Sequence, residues 1–173
     1  GDVYKRQTHV GHIHQEMPHP QVLYLTNEAI ASTHLKGWIN ALVNRDAPLI
    51  ICIGAADLPA PQTNHAMTQR RIDLLAIEQN AWVLAANDLR CKVVETRTEL
   101  DWAMKNGQIC VWAPSKIVLD AVDGPSKNLR DALALAAWFA VEMYAKELFV
   151  IGADAPLIDI PVKTFSVDQP TLT

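Results

Sequence analysis

Several groups of residues in this 173-residue chain are of types that could do chemistry. His9, His12, His14 and His19 stand close together beside Pro18 and Pro20, and neutral imidazoles at such spacings can hold zinc or nickel. An irregular, solvated lead-in accounts for the same residues more simply. No metal is therefore assigned, and His9, His12 and His14 are the candidate ligands of an alternative reading as a histidine-rich metal-binding protein. Glu78-Gln79 lies between apolar residues of a helical stretch, where a polar pair packing against a neighbour is the simpler account and a substrate contact the alternative. No local context assembles Ser, His and Asp, or Cys and His, into a nucleophilic constellation, because such groups converge only in space.

The second set of candidates is defined by position. In an open α/β sheet a ligand sits outside the carboxyl ends of the strands, so the residues just past each apolar run matter most. These are Thr26-Asn27-Glu28, Gly54-Ala55-Ala56-Asp57, Ala113-Pro114-Ser115-Lys116 and Gly152-Ala153-Asp154. None forms G-x-G-x-x-G or G-x-x-x-x-G-K-[ST], which argues against a conventional dinucleotide fold or phosphate loop. Thr26, Asn27, Gly54, Ala55, Ser115 and Gly152 are the ligand-binding candidates. A lone glycine such as Gly54 can admit an anion to backbone N–H groups, although a plain turn is the commoner use.

The elements that would position these residues follow from hydrophobic spacing. Val22–Leu25, Leu49–Ile53, Ile109–Trp112 and Leu148–Ile151 are continuous apolar runs, as in strands covered on both faces, and Cys91-Lys92-Val93-Val94 looks like a further strand. Between them, Leu35, Trp38, Ile39, Leu42 and Val43 form one helix face, with Ser32 or Thr33 as its cap. A long helix is predicted over residues 66–87 and should be buried on more than one side. A short one containing Leu100, Trp102, Ala103 and Met104 is predicted to start at Thr98 with Asp101 and to end at Gly107. An Ala-rich helix is predicted over 129–144, announced by Asn128 and Asp131. Strand and helix alternate throughout, so the predicted fold class is α/β, a three-layer sandwich with a mostly parallel sheet and helices on both faces.

Composition narrows the partners. Half of the residues are hydrophobic and 20% are charged, with a net charge of −4, so the chain can bury a full core and is not a disordered segment. No basic run offers a footprint for nucleic acid or an anionic membrane. No apolar run reaches the ~18–20 residues of a membrane span, and the first residues lack a signal-peptide pattern. Three cysteines, Cys52, Cys91 and Cys110, sit in strand-like runs as buried thiols of a reducing compartment would; the expected location is the cytoplasm. Gly1-Asp2-Val3-Tyr4-Lys5-Arg6-Gln7 reads as the translation of a sequencing-library adapter and is set aside from fold reasoning. Residues 8–20 are the His-containing lead-in, and 21–173 a single domain.

Three segments together resemble the amino acid kinase superfamily, the aspartate/glutamate/uridylate kinase-like proteins. They are most similar to the small branch around the kinase that phosphorylates an aminomethylfuran-methanol phosphate in methanofuran synthesis. Arg71-Ile72-Asp73-Leu74-Leu75-Ala76-Ile77-Glu78-Gln79 resembles that branch's R-M-A-L-L-A-M-E-Q helix. Val111-Trp112-Ala113-Pro114-Ser115-Lys116-Ile117-Val118-Leu119 resembles its V-W-L-P-S-x-x-V-L segment. Leu135-Ala136-Ala137-Trp138-Phe139-Ala140 and Ala145-Lys146-Glu147-Leu148 resemble L-A-A-W-L-A and the strand after it. The similarity runs in order from Val22 to Ala153.

The resemblance implies a parallel-sheet sandwich and ATP- and Mg-dependent phosphoryl transfer, with charge stabilised by lysines, glycine-rich turns and an aspartate. The family's K-x-G-G after the first strand corresponds to Tyr24-Leu25-Thr26-Asn27, its G-G-G to Gly54-Ala55-Ala56, the aspartate of its T-S-D to Leu133, and its late lysine to Gly152. Each such loss typically costs ~10²–10³ in rate. The leading expectation is thus a divergent, catalytically impaired relative that acts as a binding or assembly partner in C1-cofactor metabolism of the methanofuran or tetrahydromethanopterin type, as a homo- or hetero-oligomer. The alternative is an active ATP-dependent kinase of a small phosphorylated or carboxylate metabolite, its site rebuilt from Asn27, Lys116, Asp131 and Asp154. The chain also falls short of that family's usual length, so a truncated or reduced domain is expected.

Overall fold

The computed structural model describes residues 19–55, 63–120 and 131–152, and the backbone of 163–166. Five apolar runs form parallel strands: β1 (Gln21–Leu25), β2 (Leu49–Ile53), β3 (Cys91–Val94), β4 (Ile109–Trp112) and β5 (Glu147–Ile151). All five residues of both β1 and β2 are buried, which is why neither shows the alternation of a half-exposed strand. A sixth strand, β6 (Lys163–Ser166), pairs antiparallel with β5 where the sequence reading foresaw no element. The order across the sheet is β3-β4-β2-β1-β5-β6.

The helices are α1 (Leu35–Val43), α2 (Ala66–Asn87), α3 (Arg97–Lys105), α4 (Ser115–Asp120) and α5 (Ala132–Glu142), with a 3-10 turn at Asn27–Ala31. From β1 the chain steps to β2 and then past β4 to the β3 edge; it then reverses through β4 and crosses to β5. Right-handed crossovers require that such a reversal move the helices to the opposite face. The packing agrees. Trp38, Ile39 and Leu42 of α1 and Ala81 and Leu84 of α2 pack with Leu23, Ile51 and Val111 on one face. Leu100 and Ala103 of α3, Ile117 and Val118 of α4, and Leu135, Ala136 and Phe139 of α5 pack with Tyr24, Cys52 and Trp112 on the other, a cluster that Leu74 and Ile77 from the first half of α2 also join. Trp112 and Phe139 stack with ring centroids 4.0 Å apart. The three-layer α/β sandwich expected from the sequence is the architecture found.

Helix ends depart from the sequence reading for local reasons. Thr96, not Thr98, caps α3: its Oγ1 accepts the Glu99 N–H at 3.1 Å and donates to the Glu99 carboxylate at 3.1 Å. Glu99 reaches back to the cap as a shorter aspartate would not, and the earlier start still turns Leu100 and Ala103 inward. Gly107 ends this helix as expected, with φ +69° in the left-handed region. In α1 the cap position falls on His34, while Ser32 Oγ, two residues upstream, accepts the His34 N–H at 3.1 Å. The Ala-rich helix runs over Ala132–Glu142 instead of 129–144, because the Asp131 carboxylate accepts the Leu133 N–H at 3.1 Å and so sets its first turn. Tyr144 then leaves the helix at φ 52°. Ser115–Asp120, to which the sequence reading assigned no element, is helical: Pro114 precedes it, where a missing N–H costs nothing.

The long helix α2 has the predicted bounds but not the predicted burial. Leu74, Ile77, Ala81 and Leu84 are buried, whereas Leu75, Trp82 and Val83 are 51%, 58% and 50% exposed. Only one side of it meets the sheet. Among the described residues no helix is long and apolar enough to cross a membrane.

Candidate functional site

The chain leaves β2 toward the face carrying α2 and leaves the neighbouring β4 toward the opposite face, so the carboxyl ends of these two strands flank the crevice where open α/β sheets bind ligands. Gly54 and Ala55 end one wall, and Ala113, Pro114 and Ser115 the other. Thr26 and Asn27 follow from β1 next door, and α2 begins at this edge and runs back along the sheet.

Most polar groups here hold elements to one another. Asn80 of α2 donates from Nδ2 to Asn27 Oδ1 at 2.9 Å and to the Gly54 carbonyl at 2.8 Å, tying both strand ends to the helix. The Gly54 N–H donates to the Leu25 carbonyl at 2.9 Å, so it is committed to the strand end and not presented to a ligand. Glu78 accepts the Ser115 N–H at 2.8 Å, joining the middle of α2 to the start of α4. That is the structural alternative foreseen for Glu78: a paired carboxylate. The glycine at 54 has a steric cause. A Cβ there would lie 2.8 Å from Tyr24 Oη and 3.2 Å from the Asn27 nitrogen, so any side chain at this position would have to displace the tyrosine.

Tyr24 is 8% exposed, and its phenol is pushed up to about 12 by burial first and by the nearby Asp131 carboxylate second. It stays protonated across the physiological range. Asp131 therefore stands near this hydroxyl while its own carboxylate caps α5. Lys116 is on the exposed side of α4, where its Nζ lies 3.5 Å from Glu95. The two belong to a cleft of 220 Å³ that Thr96, Arg97, Ile117 and Asp120 also line. The lysine faces β3 and a carboxylate in this arrangement. Thr26 Oγ1, Ser115 Oγ and the Trp112 Nε1 are buried and make no hydrogen bond; they are the polar groups a ligand could satisfy at this edge. Ala55 packs against the core, and a side chain added at Gly152 would meet nothing within 4 Å.

The structure thus brings Asn27, Gly54 and Asp131 together around Tyr24, sets Thr26 and Ser115 at their strand ends, and directs Lys116 elsewhere. Asp154, His9, His12 and His14 lie outside the described residues, as do Ala56 and Asp57. No group of three or more His, Cys, Asp or Glu side chains among the described residues could hold a metal. Two residues escaped the sequence reading. Tyr24 looked like one more apolar strand position. Arg70, at 9% exposure the buried cation of α2 near its start, sits next to Arg71, and nothing in the sequence separates the two except helical phase: 70, 74, 77 and 81 share the inward side. The thiols are not nucleophiles. Burial raises Cys52 far above the ordinary range and Cys91 and Cys110 to about 12.

Comparison with protein-family models and with curated proteins finds no match to this chain.

Proposed function

We propose that this chain is a divergent amino acid kinase-like protein that has lost efficient phosphoryl transfer and serves as a binding or assembly partner. The observation that carries this reading is the use made of the strand-end groups. Phosphoryl transfer needs N–H groups, a lysine and an aspartate aimed at developing negative charge. Here the Gly54 N–H is bonded to Leu25, Asn27 to Asn80, Asp131 to the first turn of α5, and Lys116 lies beside Glu95. The three-layer α/β architecture agrees with the one the resemblance implies. What the edge offers a ligand is neutral: two hydroxyls, an indole N–H and a protonated phenol. The C1-cofactor setting, an oligomer with itself or with a competent relative, and the absence of nucleic-acid or membrane partners belong to the same proposal.

Thermal unfolding with and without Mg-ATP and Mg-ADP tests it. No shift in Tm is expected. A nucleotide present at 100 times its dissociation constant would add ~2.7 kcal/mol of stability, and a shift of that size together with turnover would overturn the reading.

The Asp131 carboxylate near the Tyr24 hydroxyl favours a second reading, an active kinase of a small phosphorylated or carboxylate metabolite, with Asn27, Lys116, Asp131 and Asp154 serving ATP and Mg. ATP-dependent turnover that Asp131→Asn abolishes would establish it, since asparagine keeps the helix cap and removes only the charge.

A further inference from the structure

The amino edge of the sheet, opposite the strand-end crevice, holds a cavity of 270 Å³ between the loop from α1 to β2 and the loop from α3 to β4. Leu49 and Ile109, the buried first residues of the adjacent strands β2 and β4, line it together with Val43, Pro48 and Met104. Asp46 and Gln108 supply its polar side chains. Gln21 holds one wall in place. Its Nε2 donates to the Leu42 and Ala47 carbonyls, both at 3.1 Å, and so pins the end of α1 to the loop before β2.

We propose that this cavity binds a small organic ammonium ion, a protonated alkylamine whose N–H groups meet Gln108 Oε1 and Asp46 and whose chain lies against Leu49 and Ile109. The groups left open here are acceptors. Gln108 Oε1 is buried and makes no hydrogen bond, an unfavourable state that a donor carried by a ligand relieves. The Asp46 carboxylate borders the same space, while the adjacent Arg45 is drawn off to Glu147 at 3.1 Å and over the Phe149 ring. Helices α1 and α3 both end beside the cavity, and their carboxyl ends add partial negative charge; Lys105, in the last turn of α3, lies outside the lining. Donors that could answer an anion are already used. The Ala47 N–H bonds the Arg45 carbonyl, Gly107 that of Met104, Gln108 that of Ala103 and Ile109 that of Arg90, and Pro48 has no N–H. A quaternary ammonium fits poorly, since it brings no N–H to Gln108 and finds no aromatic face in the lining. The volume lies just below the ~300–1,000 Å³ of pockets for drug-sized ligands, so the occupant carries one short chain, and the wall pinned by Gln21 receives it preformed. This site is separate from the strand-end crevice and does not rest on the impaired-kinase reading.

Titration of the full chain with pentylammonium, followed by amide NMR, tests this. Saturable shifts are expected for Ala47, Gly107 and Gln108, including the Gln108 side-chain amide, with a Kd of about 1 mM, an ordinary affinity for so few non-hydrogen atoms. Pentanoate, of opposite charge, and pentyltrimethylammonium, without N–H, should each bind about tenfold more weakly or not at all. Gln108→Leu should weaken pentylammonium by about tenfold, the worth of a hydrogen bond to a charged group. Asp46→Asn, at an exposed position that leaves the fold intact, should weaken it by about threefold, as an exposed ion pair does. A cavity that holds only water would give no saturable shift at these residues, and that result would overturn the proposal. So would equal binding of pentanoate, an affinity indifferent to both substitutions, or shifts confined to Thr26, Gly54 and Ser115 at the opposite edge. None of these outcomes depends on nucleotide, so failure of this site and failure of the impaired-kinase reading are separately visible.

Discussion

Replacing Gly54 with alanine tests whether the glycine after β2 serves packing. The new Cβ would stand 2.8 Å from Tyr24 Oη, 3.2 Å from the Asn27 nitrogen and 3.6 Å from the Leu25 oxygen. The backbone cannot retreat easily, because the Gly54 N–H is bonded to Leu25 and its carbonyl to Asn80. The Tyr24 ring is buried beside Cys52 in the core, so the phenol must move. Overpacking of this kind costs ~1–3 kcal/mol, and the reduced freedom of the unfolded chain returns ~0.4–1 kcal/mol. A net loss of about 1–2 kcal/mol is expected for Gly54→Ala in urea unfolding. Tyr24→Phe removes the atom at 2.8 Å. In that background Gly54→Ala should cost less than about 0.5 kcal/mol, leaving only the 3.2 Å approach to Asn27 and a coupling of roughly 1 kcal/mol in the double-mutant cycle. Additive effects would refute the steric account and return Gly54 to the candidates whose backbone is kept open for an anion.

Three further outcomes follow from single observations. Thr96→Ala should lower stability by about 1 kcal/mol and Thr96→Ser much less, measured by urea unfolding, because the Thr96 hydroxyl bonds the Glu99 N–H; equal losses would discredit the cap. Tyr144→Gly should raise Tm, by an amount equivalent to ~0.5–1 kcal/mol, since Tyr144 holds φ 52° with 76% exposure and little packing to lose; a lower Tm would show that the ring contributes a contact. Tyr24 makes stability fall in alkali. Its folded pKa of about 12 lies above the ordinary 10, so its contribution is complete below pH 10 and is lost as pH rises toward 12, by ~1–2 kcal/mol after allowance for solvent screening. Tyr24→Phe should flatten that limb, and an unchanged limb would assign it to other groups.

The fold was legible because its strands are covered on both faces. Leu49-Ile50-Ile51-Cys52-Ile53 cannot be an amphipathic edge strand, and four such runs separated by helical spacings leave little besides a parallel sheet between two helical layers. Helix starts were less legible where two capping signals compete a residue or two apart, as Thr96-Arg97-Thr98-Glu99 does with Thr98-Glu99-Leu100-Asp101. The strand order, with β4 inserted between β2 and β3, depends on which helix face finds which strand, and that is long-range information. The same holds for the site. Asn27, Gly54 and Asp131 could be named from their positions past strands and before a helix, but Asn80 and Glu78 lie in mid-helix and meet the strand ends only by the phase of α2. The apolar stripe of α2 misled for a related reason: hydrophobic spacing says that a face prefers to be covered, not that the chain itself covers it.

The state of the strand ends bears on how a loop can keep the outline of a phosphate site without its chemistry. A glycine beside a strand end meets two different demands, backbone N–H groups open to an anion or room for a neighbouring side chain, and the two are exclusive when the N–H is already bonded. At Gly54 it is bonded to Leu25, and Tyr24 Oη fills the space where a Cβ would stand. The position that corresponds to the kinases' lysine in the resemblance is occupied by that same tyrosine, whose buried phenol stays protonated and carries no charge to set against a phosphate. Placing Lys at 24 alone would set an ammonium among Cys52, Trp112 and Phe139 without opening the Gly54 N–H. The tyrosine at 24 and the closed glycine turn are therefore coupled in this structure. No single substitution at either position would present the Gly54 N–H to an anion, because Leu25 would still hold it.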